Sequence, residues 1–213
     1  MVTPAFISFE GLDGCGKTTQ AELLAAHLRQ AGERVLLTRE PGGTPLGERI
    51  RALVLGEGER PAPEAELALM CASRAQSVRE LIRPALAGGA WVLCDRFHDA
   101  TEAYQGGGRG MDGDVIRALH RLLCGDLQPA LTLILELEPR ASLARARRLP
   151  TAGRFERESD AFFERVAAAY HRIAQREPQR CLLLPASGTP AEVAQRVRDA
   201  LALRLGLGAP ERA

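Results

Sequence analysis

Short apolar runs alternate with amphipathic stretches along the whole chain. Residues 5–10 form an apolar, aromatic-bearing run that stops at Gly11, and over 19–29 the apolar positions recur at helical intervals. The pattern predicts a strand, a glycine loop and a helix. A second strand is predicted over 34–38, a turn punctuated by Pro41, Gly42 and Gly43, and a helix over 46–55. Residues 63–87 carry strong helix formers at helical spacing, which predicts one long helix bent near Pro84. A buried strand over 91–94 then ends at Asp95. Next come a helix over 99–105, a glycine-rich loop over 106–113, a helix over 114–123 and a strand over 131–137. A short basic helix over 140–148 leads into a mobile Pro/Gly loop whose far edge is Arg154. The helix predicted over 155–175 has Phe162, Phe163, Val166 and Tyr170 at its apolar positions. A strand over 182–184, a helix over 191–205 and a frayed tail from 206 close the chain.

Strands that alternate with helices imply an α/β fold, a five-stranded parallel sheet with helices on both faces. No internal repeat or interdomain linker interrupts the pattern, so residues 1–213 read as a single domain with a short arginine-bearing lid at about 146–155. Basic and acidic residues number 28 and 27, and the net charge of +1 offers no broad field for nucleic acid or anionic lipid. The apolar runs fall far short of the roughly 20 residues of a membrane span, and no leader pattern opens the chain. A cytoplasmic protein is expected. Five scattered cysteines without a C-x-x-C pair read as reduced thiols, not as a disulfide framework or zinc site.

One detail of composition changes the picture. Lys17 is the only lysine; every other basic residue is arginine. It stands inside Gly11-Leu12-Asp13-Gly14-Cys15-Gly16-Lys17-Thr18, which fills every fixed position of G-x-x-x-x-G-K-[ST]. Glycines let consecutive amides curl toward phosphate oxygens, and the next helix points its N-terminus at the same anion. A compact ammonium fits between β- and γ-phosphate oxygens, where a planar guanidinium fork demands more room. Thr18 would ligate Mg²⁺ through its hydroxyl. A strand before and a helix after complete the context of a P-loop NTPase fold.

A second cluster follows the strand at 91–94, where Asp95 has the shape of a Walker B carboxylate that holds the Mg²⁺ shell. Arg96 comes next, at the carboxyl end of the sheet where ligands bind, and suits an acceptor phosphate. Arg145, Arg147, Arg148 and Arg154 group around the Pro/Gly loop. A closing arginine lid would neutralise charge on a transferring phosphoryl group and exclude water.

With these residues in place, the chain resembles the bacterial thymidylate kinase family over nearly its whole length. The resemblance is carried by the run from Phe9 through the glycine loop to Thr19, by Thr38-Arg39-Glu40-Pro41-Gly42-Gly43-Thr44, by Asp95-Arg96, and by Thr101-Glu102-Ala103-Tyr104-Gln105-Gly106-Gly107-Gly108-Arg109-Gly110. It implies transfer of the γ-phosphoryl of ATP to dTMP by a homodimer, with Mg²⁺, on the route to dTTP. By the same resemblance Asp13 faces the substrate 3′-hydroxyl, and Arg96 clamps its 5′-phosphate with Arg51 nearby. Glu40 and Pro41 border the acceptor, Arg74 donates to thymine O4, Thr101 and Gln105 read the base edge, and Tyr104 crowds C2′. One departure stands out: Met70 occupies the position where the family stacks a Phe on thymine. Two layouts of the family differ in where an extra arginine lies. This chain has Gly14 where the other carries Arg, so the resemblance assigns the lid charge to Arg148 and Arg154.

Two other readings share these parts: a P-loop kinase for another nucleoside monophosphate, and a nucleotide-binding switch without phosphoryl transfer. The segment from Thr101 to Gly110 argues against the first. Against a guanine-reading switch stands the lysine count, because N-K-x-D needs a second lysine.

Overall fold

The computed structural model describes residues 3–56, 60–148 and 153–206. The centre of the expected lid loop and the tail from 207 lie outside these residues. Five strands, β1 (Phe6–Gly11), β2 (Val35–Arg39), β3 (Trp91–Asp95), β4 (Leu131–Glu136) and β5 (Cys181–Pro185), form one parallel sheet in the order β2-β3-β1-β4-β5. Alternate side chains leave opposite faces, which gives two buried layers. Ile7, Phe9, Leu93, Leu131, Leu133 and Leu135 pack under α1 (Lys17–Gln30) and the last helix, Pro190–Leu205. On the other face Phe6, Val92 and Cys94 meet Val78, Ile82 and Phe97, while Ile134 joins a cluster rich in Phe and Tyr. Helices therefore cover both faces, as the pattern predicts.

Three segments depart from the sequence pattern, the first two for a local reason. After α2 (Pro45–Leu55), the long helix is α3 (Pro63–Ser77), one π-helical stretch Val78–Ile82, and α4 (Arg83–Ala87). Proline lacks an amide hydrogen and its ring crowds the carbonyl four residues back, so the helix widens ahead of Pro84, with Arg83 N–H bonded to Val78 O. The helix predicted over 155–175 is a single 3₁₀ turn, Phe155–Arg157, followed by α8 (Asp160–Arg176). Ser159 starts the latter as its N-cap, accepting from Phe162 N–H, so the chain restarts instead of running through.

The third departure is the expected glycine loop at 106–113. Its first half is helical: α5 (His98–Thr101) continues as a π-helical run, Glu102–Gly108, before α6 (Gly113–Cys124). The glycines serve packing here. A Cβ on Gly107 would lie 2.5 Å from Ala169 Cβ, and one on Gly108 would lie 2.7 Å from Phe162 Cζ, so this run presses directly on α8. The remaining helix is α7 (Pro139–Ala146), and Pro190–Leu205 is α9. Among the described residues no helix is long and apolar enough to cross a membrane. All five cysteines are free and buried, and burial pushes the thiols of Cys15 and Cys71 up, away from the reactive thiolate.

Gly108→Ala is expected to lower stability by about 1–3 kcal/mol through overpacking against Phe162. Urea unfolding reads this as a reduced midpoint at unchanged slope. An unchanged midpoint would show that the contact with α8 yields freely.

Candidate active site

The sheet register gathers the site. Phe9 pairs with Asp95, Gly11 with Leu135 and Arg39 with Asp95, so the carboxyl ends of β1, β2, β3 and β4 open at one edge. A cavity of about 430 Å³ lies there. Its floor is the glycine loop. Gly14 takes φ +82 and Gly16, the N-cap of α1, takes φ +100. Gly14 also has no room for a side chain: a Cβ would strike Ser142 O and come within 2.8 Å of Ala146 N. The loop thus leans on α7, and Ser142 Oγ donates to Asp13 O at 2.8 Å.

Lys17 lines the cavity with its ammonium curled over the loop, donating to Leu12 O at 2.7 Å and lying 4.0 Å from Asp13 Oδ1. Thr18 Oγ1 donates to Asp95 Oδ2, so the two oxygen ligands expected for a cation meet at the cavity rim.

Arg96 sits just beyond β3 with φ +72, the one non-glycine residue in the left-handed region among those described. Its backbone N–H is tied to Phe9 O at 2.9 Å. The side chain donates to Gly11 O (3.0 Å), Asp13 Oδ1 (2.5 Å), and the hydroxyls of Tyr104 (3.1 Å) and Tyr170 (3.3 Å). Tyr104 donates in turn to Asp13 Oδ2 at 2.8 Å, with its ring 4.8 Å from the guanidinium. Burial pushes the Asp13 carboxyl up, but the charges of Arg96 and Lys17 and the Tyr104 hydrogen bond outweigh it and hold it at about 2. Behind this layer, Glu10 is fully buried and accepts from Phe97 N–H at 2.7 Å and Tyr170 OH at 2.8 Å. Burial, aided by Asp99, raises the Glu10 carboxyl above its ordinary value.

The other expected site residues divide into two layers. Glu40, Pro41, Arg51, Met70 and Tyr104 line the cavity with Asp13 and Arg96, and Arg51 is tethered to Pro41 O at 2.9 Å. Arg74, Thr101 and Gln105 are buried behind the wall. Arg74 donates to Glu40 (2.7 Å), Thr101 Oγ1 (2.6 Å) and Phe97 O (3.1 Å). Of the lid arginines, Arg145 and Arg154 line the cavity, whereas Arg148 is exposed past the end of α7. Sequence reasoning did not single out Glu10, Glu66, Phe155 or the hydroxyl of Tyr170. Tyr170 reads as one more apolar position of α8. A carboxylate ending the apolar run of β1 was a signal for Glu10, since a buried acid needs partners.

A glycine loop between β1 and α1, a lysine and threonine at its end, and an aspartate and arginine at the tip of a neighbouring strand define a P-loop kinase. The thymidylate kinase family model matches residues 9–197. The thymidylate kinase of Trichlorobacter lovleyi is 49% identical over 209 residues, covering 95% of this chain and 99% of its own. That of Pseudomonas putida (strain W619) is 52% identical over 197 residues, 92% of this chain and 95% of its own. The crystal structure of thymidylate kinase from Ehrlichia chaffeensis superimposes with a TM-score of 0.78 at 33% identity, covering 94% of this chain and 99% of that one. The chain belongs to the thymidylate kinase family.

Glu10 has a signed pH signature. Its folded pKa is raised above the ordinary 4.5, so its stabilising share is full below that value and is lost as pH rises through the folded pKa. Glu10→Gln, neutral throughout, removes this slope. Relative to the parent, it is expected to gain stability from about pH 5 to about pH 8 in urea melts. A pH-independent difference would mean that Glu10 ionises normally in the folded chain.

Proposed function

We propose that this enzyme transfers the γ-phosphoryl group of ATP to dTMP, giving dTDP and ADP, with the residues of this cavity in the following roles. The observation that carries the assignment is that Lys17 and Arg96, one cation for each phosphate, line a single cavity with Asp13 in contact with both. The loop from Gly11 to Thr19 cradles the donor phosphates, and Lys17 supplies a point charge to the β and γ oxygens. Arg96 clamps the acceptor phosphate and Arg51 adds a second guanidinium. Met70 packs on the base, as a polarizable thioether can. Phosphoryl transfer needs positioning and charge more than covalent help, and these groups provide both.

Thr18 and Asp95 fit Mg²⁺: both offer hard oxygen donors, in contact at the rim, and a cation that keeps most of its waters needs few protein ligands. When bound, Mg²⁺ neutralises developing charge on the phosphate oxygens. Arg145 and Arg154 are the lid arginines already at the cavity, and Arg148 is exposed at the end of the turn that follows α7. We also read the enzyme as a homodimer, since α6 leaves Val115, Leu122 and Leu123 exposed, and as cytoplasmic, in keeping with five unpaired thiols.

The deciding experiment is ADP release from Mg-ATP against dTMP, dUMP, UMP, dCMP, AMP and GMP, with an acceptor-free control. Turnover with dTMP well above the others is expected; selective turnover with another acceptor would reassign the pocket. Arg96→Ala should raise KM for dTMP by roughly 10- to 100-fold while sparing KM for ATP. Equal losses in both would remove it from the acceptor phosphate. Tyr104→Ala should narrow the preference for dUMP over UMP, whereas Tyr104→Phe should keep that preference and weaken only acceptor binding. If both variants retain the ribose discrimination, the ring does not exclude the 2′-hydroxyl.

A further inference from the structure

The guanidinium of Arg96 has two sides. Nη2 donates to Asp13 Oδ1 at 2.5 Å and to the Tyr104 hydroxyl at 3.1 Å, and both of these residues line the catalytic cavity. Nη1 donates to Gly11 O at 3.0 Å and to the Tyr170 hydroxyl at 3.3 Å. Gly11 and Tyr170 border a separate cavity of about 460 Å³ between the end of β4 and α8. A phosphate entering the catalytic cavity meets the Nη2 side, where Asp13 now stands. Tyr170, 2% exposed, is shielded behind the guanidinium.

A closed chain of hydrogen bonds holds the Nη1 side. A phenol has one hydrogen to give. Tyr170 gives it to Glu10 Oε2 at 2.8 Å, which turns the lone pairs of the phenol toward Nη1. Glu10, fully buried, accepts from Phe97 N–H through its other oxygen at 2.7 Å. Phe97 follows Arg96 in the chain, so the relay that leaves the Arg96 side chain returns through α8 and β1 to the backbone beside it. A single bond to Gly11 O would let the head group swing about it, and the second bond, to Tyr170, stops that motion. Because a guanidinium is planar and rigid, fixing Nη1 also fixes where Nη2 points.

We propose that Tyr170 and Glu10 are positioning residues for the acceptor-phosphate clamp: by holding Nη1, they keep the guanidinium aimed into the cavity while Nη2 exchanges Asp13 for the phosphate. Without them the incoming phosphate would meet an arginine free to rotate, and part of the binding energy would go into fixing it. The effect is confined to the phosphate, because neither residue lines the cavity that takes the base and sugar. The proposal rests on the reading of Arg96 as the clamp.

The test measures KM for dTMP and for ATP, with thymidine as a competitive inhibitor against dTMP. Thymidine carries the same base and sugar without the phosphate. The assay is run at about pH 9, above the value of about 8 to which burial raises Glu10, so that its carboxylate can only accept. Tyr170→Phe keeps the ring and its packing and removes only the hydroxyl. It is expected to raise KM for dTMP by about tenfold, the effect of losing one hydrogen bond to a charged group, with KM for ATP and inhibition by thymidine unchanged. Glu10→Gln must turn its oxygen to Phe97 N–H and its NH₂ to Tyr170, which leaves the phenol hydrogen without an acceptor. It is expected to act as Tyr170→Phe does. Since the two substitutions break one chain, the double variant should bind dTMP no more weakly than the weaker single variant. An unchanged KM for dTMP in Tyr170→Phe, or equal weakening of dTMP and thymidine, would make the pair merely structural and overturn the proposal. So would independent effects that multiply in the double variant. Arg96→Ala separates this failure from that of the clamp itself: if it too leaves KM for dTMP unchanged, the reading of Arg96 falls and the proposal with it. Should Glu10→Gln not fold, Tyr170→Phe alone decides, through dTMP against thymidine.

Discussion

Arg96 is a charge taken largely out of water, and much of the site is arranged to make that tolerable. Removing a guanidinium from solvent costs several kcal/mol unless its donors are satisfied. Here a backbone carbonyl, a carboxylate and two phenols surround it. Its backbone is also held left-handed, a conformation worth about 1–3 kcal/mol of strain for a residue with a side chain. Hydrogen bonding to Phe9 O, in the neighbouring β1, pins that conformation in place. Glu10 and Tyr170 then support the cluster from behind, so the glycine loop, β1, β3 and α8 meet through one side chain.

The arginine-for-lysine composition bears on how such hubs are built. A guanidinium can bridge several partners in one plane, as Arg74 does among Glu40, Thr101 and Phe97, and as Arg109 does between Glu66 and Glu158. A lysine offers no such fork. Where a mobile point charge suits the chemistry better, at the phosphate loop, the chain keeps its single lysine.

Much of this was legible in the sequence. All five strands, the glycine loop and the strand-end pair Asp95 and Arg96 follow from apolar period and spacing, because each is dictated locally. The glycine run at 106–113 was misleading for a physical reason: glycine marks a turn or a close approach, and only the position of α8 decides which. The restart at Ser159 was written as a capping residue, but the aromatic residues on either side masked it. Glu66 and Tyr170 were invisible for a different reason. Their roles depend on partners far along the chain, Gln105, Arg109 and Arg154 for the first, and Glu10 and Arg96 for the second. Spacing within one helix carries no trace of such contacts.

Gly14 couples the phosphate loop to the helix that follows β4. Its backbone is pressed so closely on α7 that a side chain and that helix compete for the same volume. The loop and α7 therefore cannot change independently at this point. Starting from this chain, a loop arginine at position 14 would first have to displace α7, and with it Arg145 at the cavity wall. A larger residue at position 14 therefore calls for concerted change in the loop and the helix.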